Sequence, residues 1–264
     1  MTLFFNHIGR LGQLGNQMFQ YASLKGIAKH RGFDYMIPQH NVEVDTLGNH
    51  LRTELFDPFD LNVKVGLQDV KYVQEPHYHF SEELFNNCPD NVSLYGFFQT
   101  EKYFKHIRDE IIGDFSFKKD ITDDCDDILK LFENPIALHI RRGDFLINYQ
   151  NHHNQTLDYY SKALEYFPKD QQVIIFSDDP DWCEEQERFS DDRLLISKGN
   201  SPYHDLYLMS RCKDFIIANS SFSWWGAWLS NYDKVIAPSR WFGINNADKK
   251  TDDVYCSDWI KIGD

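Results

Sequence analysis

Two adjacent arginines at the end of an apolar run are the residues of this chain best suited to chemistry. Pro135-Ile-Ala-Leu-His-Ile-Arg-Arg-Gly-Asp144 reads as a buried strand through Ile140 that empties into Arg141, Arg142 and Gly143. In an open α/β sheet, ligands sit in the crevice beyond the carboxyl ends of the strands. A planar guanidinium at that place can hold a phosphate through two parallel hydrogen bonds. The alternative is a strand end with two solvated arginines, one of them paired to Asp144.

Three more clusters follow expected strands. Gly12-Gln-Leu-Gly-Asn-Gln17 lies between a strand and a helix, where backbone N–H groups can meet an anion or a hydroxyl. Its spacing matches neither G-x-G-x-x-G nor a phosphate loop ending in Gly-Lys-Ser/Thr, so those readings fail and a plain tight turn is the alternative. Phe176-Ser-Asp-Asp-Pro-Asp-Trp182 puts Asp178 just beyond a strand and Asp179 at a helix cap followed by proline. With Asp179 used by the cap, Asp178 is expected to keep a free carboxylate. That group can accept from the N1–H and exocyclic amine of guanine and so select GDP over ADP or UDP. Asn219-Ser-Ser-Phe-Ser-Trp-Trp-Gly-Ala-Trp228 offers the Ser220 and Ser221 hydroxyls at a helix N-terminus, a second phosphate site beside the arginines. Trp225 and Trp228 share a helical face through their spacing, which reads as core.

Weaker signals resolve as surface. His152-His153 has no further ligands at metal spacing, and no metal site is expected. The pairs Asp123-Asp124, Asp126-Asp127 and Asp252-Asp253 read as solvated faces. Asn91, Asn154 and Asn219 head formal glycosylation sequons, yet Asn219 falls inside the expected phosphate site.

The elements that must position these clusters alternate cleanly from residue 134 onward. A strand at 135–141 is followed by a helix near 156–167, a strand at 173–177, a helix from 179–180, a strand at 194–196, a helix at 203–212, a strand at 215–218, a helix at 222–230 and a strand at 235–237. Such units build a mostly parallel sheet wound on both faces. The first half shows a strand at 3–8, a helix at 16–30 and a strand at 35–37, and nothing is assigned over 40–133. The acidic stretch Asp120–Asp127 together with Phe132-Glu-Asn-Pro135 marks a boundary between two α/β lobes, 1–133 and 134–264.

Composition bounds the function. With 264 residues the chain can bury roughly 70–75% of its unfolded surface. A net charge of −14 argues against a nucleic-acid partner, which needs a broad basic face. The cysteines, five in number and without a C-x-x-C pair, suggest neither a disulfide framework nor a zinc site, and reduced thiols in a cytoplasmic protein fit best. Met1–Ile8 is too short for a signal segment and no long apolar run occurs, so a soluble or at most peripheral protein is expected.

The segments Gly12–Ala22, His139–Phe145, Phe176–Pro180 and Ala218–Trp228, taken together and in this order, resemble the bacterial α-1,2-fucosyltransferase family. The resemblance implies a GT-B architecture of two Rossmann-like lobes. The donor GDP-fucose would sit mainly in the C-terminal lobe, with an acceptor glycan meeting it across the cleft. It implies metal-independent transfer of L-fucose with inversion, α-1,2 to galactose, in lipopolysaccharide or O-antigen biosynthesis, and no cofactor beyond the donor itself. A glycolipid acceptor would bring the protein to a membrane surface. Position by position, Arg141 would hold the β-phosphate, Asp178 the guanine, Ser220, Ser221 and Phe222 the phosphate and ribose, and Gly15, Asn16 and Gln17 the donor from the other lobe. His139 and Asp144 match motif positions close to the sugar or to Arg141. Asp144 is either the base for the acceptor hydroxyl or a partner that orients an arginine. The rival readings are a transferase using another GDP-sugar, and a nucleotide- or glycan-binding protein without turnover.

Overall fold

The computed structural model describes residues 1–39, 42–44 and 50–263. The chain divides into two compact units, Met1–Lys118 with Lys249–Cys256, and Lys119–Asp248 with Ser257–Asp264.

The first unit contains β1 (Thr2–Phe4), α1 (Leu14–Arg31), β2 (Asp34–Met36), β3 (Val42–Val44), β4 (His50–Arg52), β5 (Lys71–Gln74), α2 (Glu82–Asn87), β6 (Val92–Tyr95) and α3 (Arg108–Asp114). Its sheet runs β2-β1-β6-β5, every neighbour parallel, while β3 and β4 form a separate antiparallel pair. Helix α1 is buried along most of its length, with Met18, Phe19, Ala22, Leu24 and Ile27 all 0–1% exposed. Gly32 ends it in the left-handed region at φ +69°, which a residue with a Cβ seldom adopts. The buried Lys25 is kept charged by Asp114 at 2.5 Å, and Asp114 also accepts from the Tyr21 hydroxyl at 2.8 Å.

The second unit contains α4 (Lys119–Leu129), β7 (Ile136–Ile140), α5 (Gly143–Ile147), α6 (Leu157–Leu164), β8 (Val173–Ser177), α7 (Pro180–Glu184), β9 (Leu194–Ile196), α8 (Pro202–Ser210), β10 (Asp214–Ile216), α9 (Ser221–Leu229), β11 (Lys234–Pro238) and β12 (Ile260–Ile262). All six strands are parallel in the order β12-β11-β10-β7-β8-β9. One core packs Ile136, Leu138 and Ile140 of β7 with Val173 and Ile175 of β8 and with Tyr159, Tyr160 and Ala163 of α6. A second core is built on α9, where Trp224, Trp225 and Trp228 are at most 1% exposed and Trp224 meets Trp259. The strand sequence leaves β7 in opposite directions, toward β8 on one side and β10 on the other. The carboxyl ends of β7 and β10 therefore flank the point where an open α/β sheet opens a ligand crevice.

Several boundaries differ from those expected. The strand foreseen over 3–8 stops at Phe4, because the Ile8 N–H turns back to the Phe5 carbonyl at 3.1 Å and Gly9 and Gly12 take φ of +87° and +91°. Strands β5, β6 and β12 and helices α2, α3 and α5 were not foreseen. The division between units falls at 118/119 rather than 133/134. Helix α4 buries Ile121 and Cys125, and it meets α8 through Asp126 on the Tyr207 hydroxyl at 2.8 Å and Asp124 on His204 at 3.3 Å. The acidic stretch is thus a packed helix of the second unit and not a linker. Asp253 also departs from the solvated reading, since it accepts the Phe80 N–H at 2.9 Å and pairs with Lys102 inside the first unit.

Candidate functional site

Beyond β7, each arginine meets a carboxylate already in place. Arg141 donates through Nη2 to Asp144 Oδ1 at 2.6 Å, and its Nη1 forms an ion pair with Asp178 Oδ2 at 3.1 Å. Arg142 pairs through Nε with Asp179 Oδ2 at 2.9 Å and lays its guanidinium over the Trp182 ring at 3.6 Å. A guanidinium carries five N–H donors, so Arg141 keeps N–H groups for a ligand while its plane is fixed by two partners. Its side chain is 20% exposed, which leaves one edge accessible. The short α5 begins at Gly143, where any Cβ would overlap Asp178 Oδ2.

The expected free carboxylate of Asp178 is not found. Its Oδ1 accepts the Arg142 backbone N–H at 2.8 Å, and its Oδ2 faces Arg141. Register explains this: β7 and β8 run side by side with Ile140 opposite Ser177, so the residues that follow each strand are forced together. Asp179 does cap α7, accepting the Trp182 N–H at 3.3 Å. Asp144 is an ion-pair partner of Arg141, through its Oδ1.

His139 is 4% exposed, with its ring 5.6 Å from that of Phe222. That contact brings the first turn of α9 against the end of β7. Burial, with Arg141 adding to it, holds the His139 imidazole down to about 3, so the ring is neutral across the physiological range. Its Nδ1 is buried without a hydrogen-bond partner. Ser220 caps α9 by accepting the Phe222 N–H at 3.3 Å, and Ser221 opens the helix.

Asn219, absent from the expected site residues, is 4% exposed and ties three segments together. Its Nδ2 donates to the carbonyls of His153 at 2.9 Å and Trp241 at 2.7 Å, and its Oδ1 accepts from Gln155 Nε2 at 3.0 Å. Gln155 also reaches the Arg240 carbonyl at 3.0 Å. These bonds brace the loops after α5 and β11 against the start of α9. A polar residue ending the apolar run Phe215–Ala218 was the signal for it.

In the first unit the glycine-rich turn is closed by its own side chains. Gln17 is 1% exposed; its Nε2 reaches the Arg52 carbonyl at 3.1 Å and its Oε1 accepts the Glu54 N–H at 2.8 Å. The Glu54 carboxylate accepts the Leu14 N–H, so the anion at the start of α1 belongs to the protein. Gln17 therefore does not present its amide to a ligand, and Gly15 is buried. Asn16 lies over Gly12, where a Cβ would overlap it, and its Oδ1 accepts from Gln99 Nε2 at 2.5 Å. No helix of the described residues is long and apolar enough to cross a membrane.

Comparison with known proteins gives these parts a common setting. The family model described as glycosyl transferase family 11 matches residues 4–263. The O-antigen biosynthesis glycosyltransferase WbnK of Escherichia coli is 31% identical over 95% of this chain and 98% of its own length. An alpha-1,2-colitosyltransferase of Escherichia coli is 31% identical over 88% of this chain and 90% of its own. Galactoside alpha-(1,2)-fucosyltransferase 2 of Bos taurus is 26% identical over 86% and 70%. Among solved structures, the NodZ fucosyltransferase from Bradyrhizobium superposes with a TM-score of 0.59 at 14% identity, covering 85% of this chain and 91% of that one. The fold is accordingly of GT-B type, with two Rossmann-like lobes.

Proposed function

Since this chain belongs to glycosyl transferase family 11 and is a glycosyltransferase, we propose that it transfers L-fucose from GDP-fucose to a hydroxyl of an acceptor glycan, α-1,2 to galactose, with inversion. The observation that carries this reading is Arg141, fixed by Asp144 and Asp178 at the β7/β10 crevice beside the first turn of α9. As the donor's anomeric carbon leaves its phosphate, negative charge grows on the β-phosphate oxygens. The remaining Arg141 N–H groups, the Ser221 hydroxyl and the N-terminus of α9 meet that charge without having to reorganise. These groups supply the neutralisation that a metal would otherwise provide, which supports a metal-independent reaction.

Asp178 both steadies Arg141 and offers guanine the lone pairs that its two protein partners leave unused. Phe222, half-buried against His139, would face the ribose, and Asn16 is the residue of the glycine-rich turn best able to touch the donor. GDP-fucose is the donor substrate and the acceptor is an oligosaccharide, including a glycolipid that would hold the protein at a membrane surface. We also infer a cytoplasmic location in O-antigen biosynthesis, supported by five buried cysteines that form no bridge among the described residues and by the likeness to WbnK.

A second donor has specific support. The colitosyltransferase is 31% identical to this chain and the bovine fucosyltransferase 26%, so another GDP-sugar would use the same phosphate and guanine contacts. Release of the nucleoside diphosphate should be measured from GDP-fucose, GDP-colitose, GDP-mannose and UDP-galactose, with and without galactosides. Acceptor-stimulated release from GDP-fucose alone is the expected result. Preference for GDP-colitose would move the reading to that sugar, and release from none would overturn it.

A further inference from the structure

At the carboxyl edge of the second unit's sheet, two segments form a tip that leaves large apolar side chains in water. Leu146 and Ile147 end α5, Tyr149 follows them, and Ile244 lies in the segment after β11; they are 44%, 88%, 60% and 68% exposed. The two segments are tied side by side. The Gly243 N–H donates to the Asn151 carbonyl at 3.0 Å and the Asn245 N–H to the Gln150 carbonyl at 2.9 Å, while Asn245 Nδ2 reaches Asn151 Oδ1 at 3.2 Å. His152 and Phe242 form an antiparallel bridge beside them. Glycine at 243 permits the approach, since a Cβ there would overlap the Gln150 carbonyl. Behind the tip, Asn219 holds both segments through the His153 and Trp241 carbonyls.

Single exposed apolar residues are ordinary, but four large ones on two segments tied together form a patch of the kind that meets a partner or a membrane. Charge favours the membrane. The chain has 41 acidic residues, and none falls in 145–157 or 239–247, which carry the exposed Arg240 and the neutral amides of Asn148, Gln150, Asn151 and Asn245. Asp144, at the far end of α5, is paired with Arg141. At a net charge of −14 the chain as a whole is repelled by an anionic bilayer, so approach selects a face without carboxylates. Side chains that protrude this far suit a fluid layer into which they can sink. The amides around them and the Tyr149 hydroxyl then lie at the depth of the headgroups.

We propose that this tip is a membrane-docking surface, with Ile147, Tyr149 and Ile244 entering the interface of a lipid bilayer. The choice of partner rests on the glycosyl-transfer reading above, in which the acceptor includes a glycolipid. Strands β7 and β11 are parallel members of one sheet, so α5 and the segment after β11 leave the same edge as Arg141. Docking through them sets the donor crevice of this unit beside the leaflet that presents the acceptor. Because the contact is mainly apolar, it should persist in salt that screens surface charge.

The test measures flotation of the full chain with vesicles of phosphatidylethanolamine and a minority of phosphatidylglycerol, alongside thermal unfolding, GDP affinity and transfer from GDP-fucose to lactose in solution. Wild type should float with the vesicles. The double variant Ile147→Asp/Ile244→Asp should lose roughly 10–100-fold in partition while melting temperature, GDP affinity and lactose transfer stay unchanged. Should the aspartates disturb folding, Ile147→Ser/Ile244→Ser should show the same direction of loss. Leu131, 73% exposed elsewhere in the same unit, supplies the control, and Leu131→Asp should float as wild type does. A wild type that stays in the aqueous phase, a double variant that floats equally well, or an equal loss in Leu131→Asp overturns the proposal. So does a wild-type dimer in light scattering that the double variant lacks, which would give the tip to a second copy of the chain. Absence of lactose transfer by wild type overturns the glycosyl-transfer reading, and flotation, which needs no turnover, still upholds or overturns the docking surface by itself.

Discussion

Asp178 and Arg141, which leave neighbouring strands at residues far apart in sequence, meet as an ion pair at 3.1 Å. The carboxylate also accepts from the Arg142 backbone N–H, so Arg141 is held in place before any ligand arrives. Preorganisation of this kind lets a charged group act on a developing charge without a reorganisation cost.

Arg141→Ala should cripple turnover. A charge-assisted phosphate contact is worth about 1.5–3 kcal/mol, or roughly 10–150-fold, and more where it strengthens in the transition state. Arg141→Lys should also be impaired because the fork that meets two carboxylates and a phosphate is lost. Steady-state kinetics on folded variants check this, and near wild-type rates would remove Arg141 from the mechanism.

Asp178→Asn places an amide against a guanidinium and a backbone N–H, replacing one acceptor by a donor. GDP affinity is expected to weaken by about 1–3 kcal/mol. ADP affinity should weaken less, because adenine cannot offer the same pair of donors. Calorimetry with both nucleotides separates the roles: equal losses would leave Asp178 as the partner of Arg141 and send guanine recognition elsewhere.

Gly143→Ala tests the geometry without touching a charge. The added methyl overlaps Asp178 Oδ2 and must push the carboxylate away from Arg141. Displacing a positioned group by about 1 Å can cost on the order of 100-fold in rate. The expected result is a large fall in kcat with a melting temperature close to wild type, since Gly143 lies at the surface.

His139 should not titrate near neutrality. Its ring is neutral down to about pH 3, so its NMR carbon and proton shifts should stay flat from about pH 8 to 5. The sign for stability follows from the lowered folded value. The unfolded chain protonates His139 near 6.5 while the folded one does not, so its contribution is complete above that pH and is lost as pH falls toward 3. A titration midpoint near 6.5 in the folded protein would contradict the buried placement.

What the sequence by itself determined is local. The unbroken apolar run Ile136–Ile140 followed by Arg-Arg-Gly, the Asp179-Pro180 helix cap and the shared face of Trp225 and Trp228 on α9 are legible because strand burial, capping and helical spacing involve residues near one another in the chain. Strands β5 and β6 were not legible: each has four residues, too few to display a period, and β5 exposes Lys71, Tyr72 and Gln74. Only the tertiary structure decided which carboxylates and amides are engaged within the protein. Asp178 looked available because its partners just beyond β7 lie 36 and 37 residues before it, and Gln17 looked like a ligand until the 52–54 segment enclosed it. Sheet order and strand register bring such residues together, and a parallel sheet sets both through long crossovers that leave no short-range pattern.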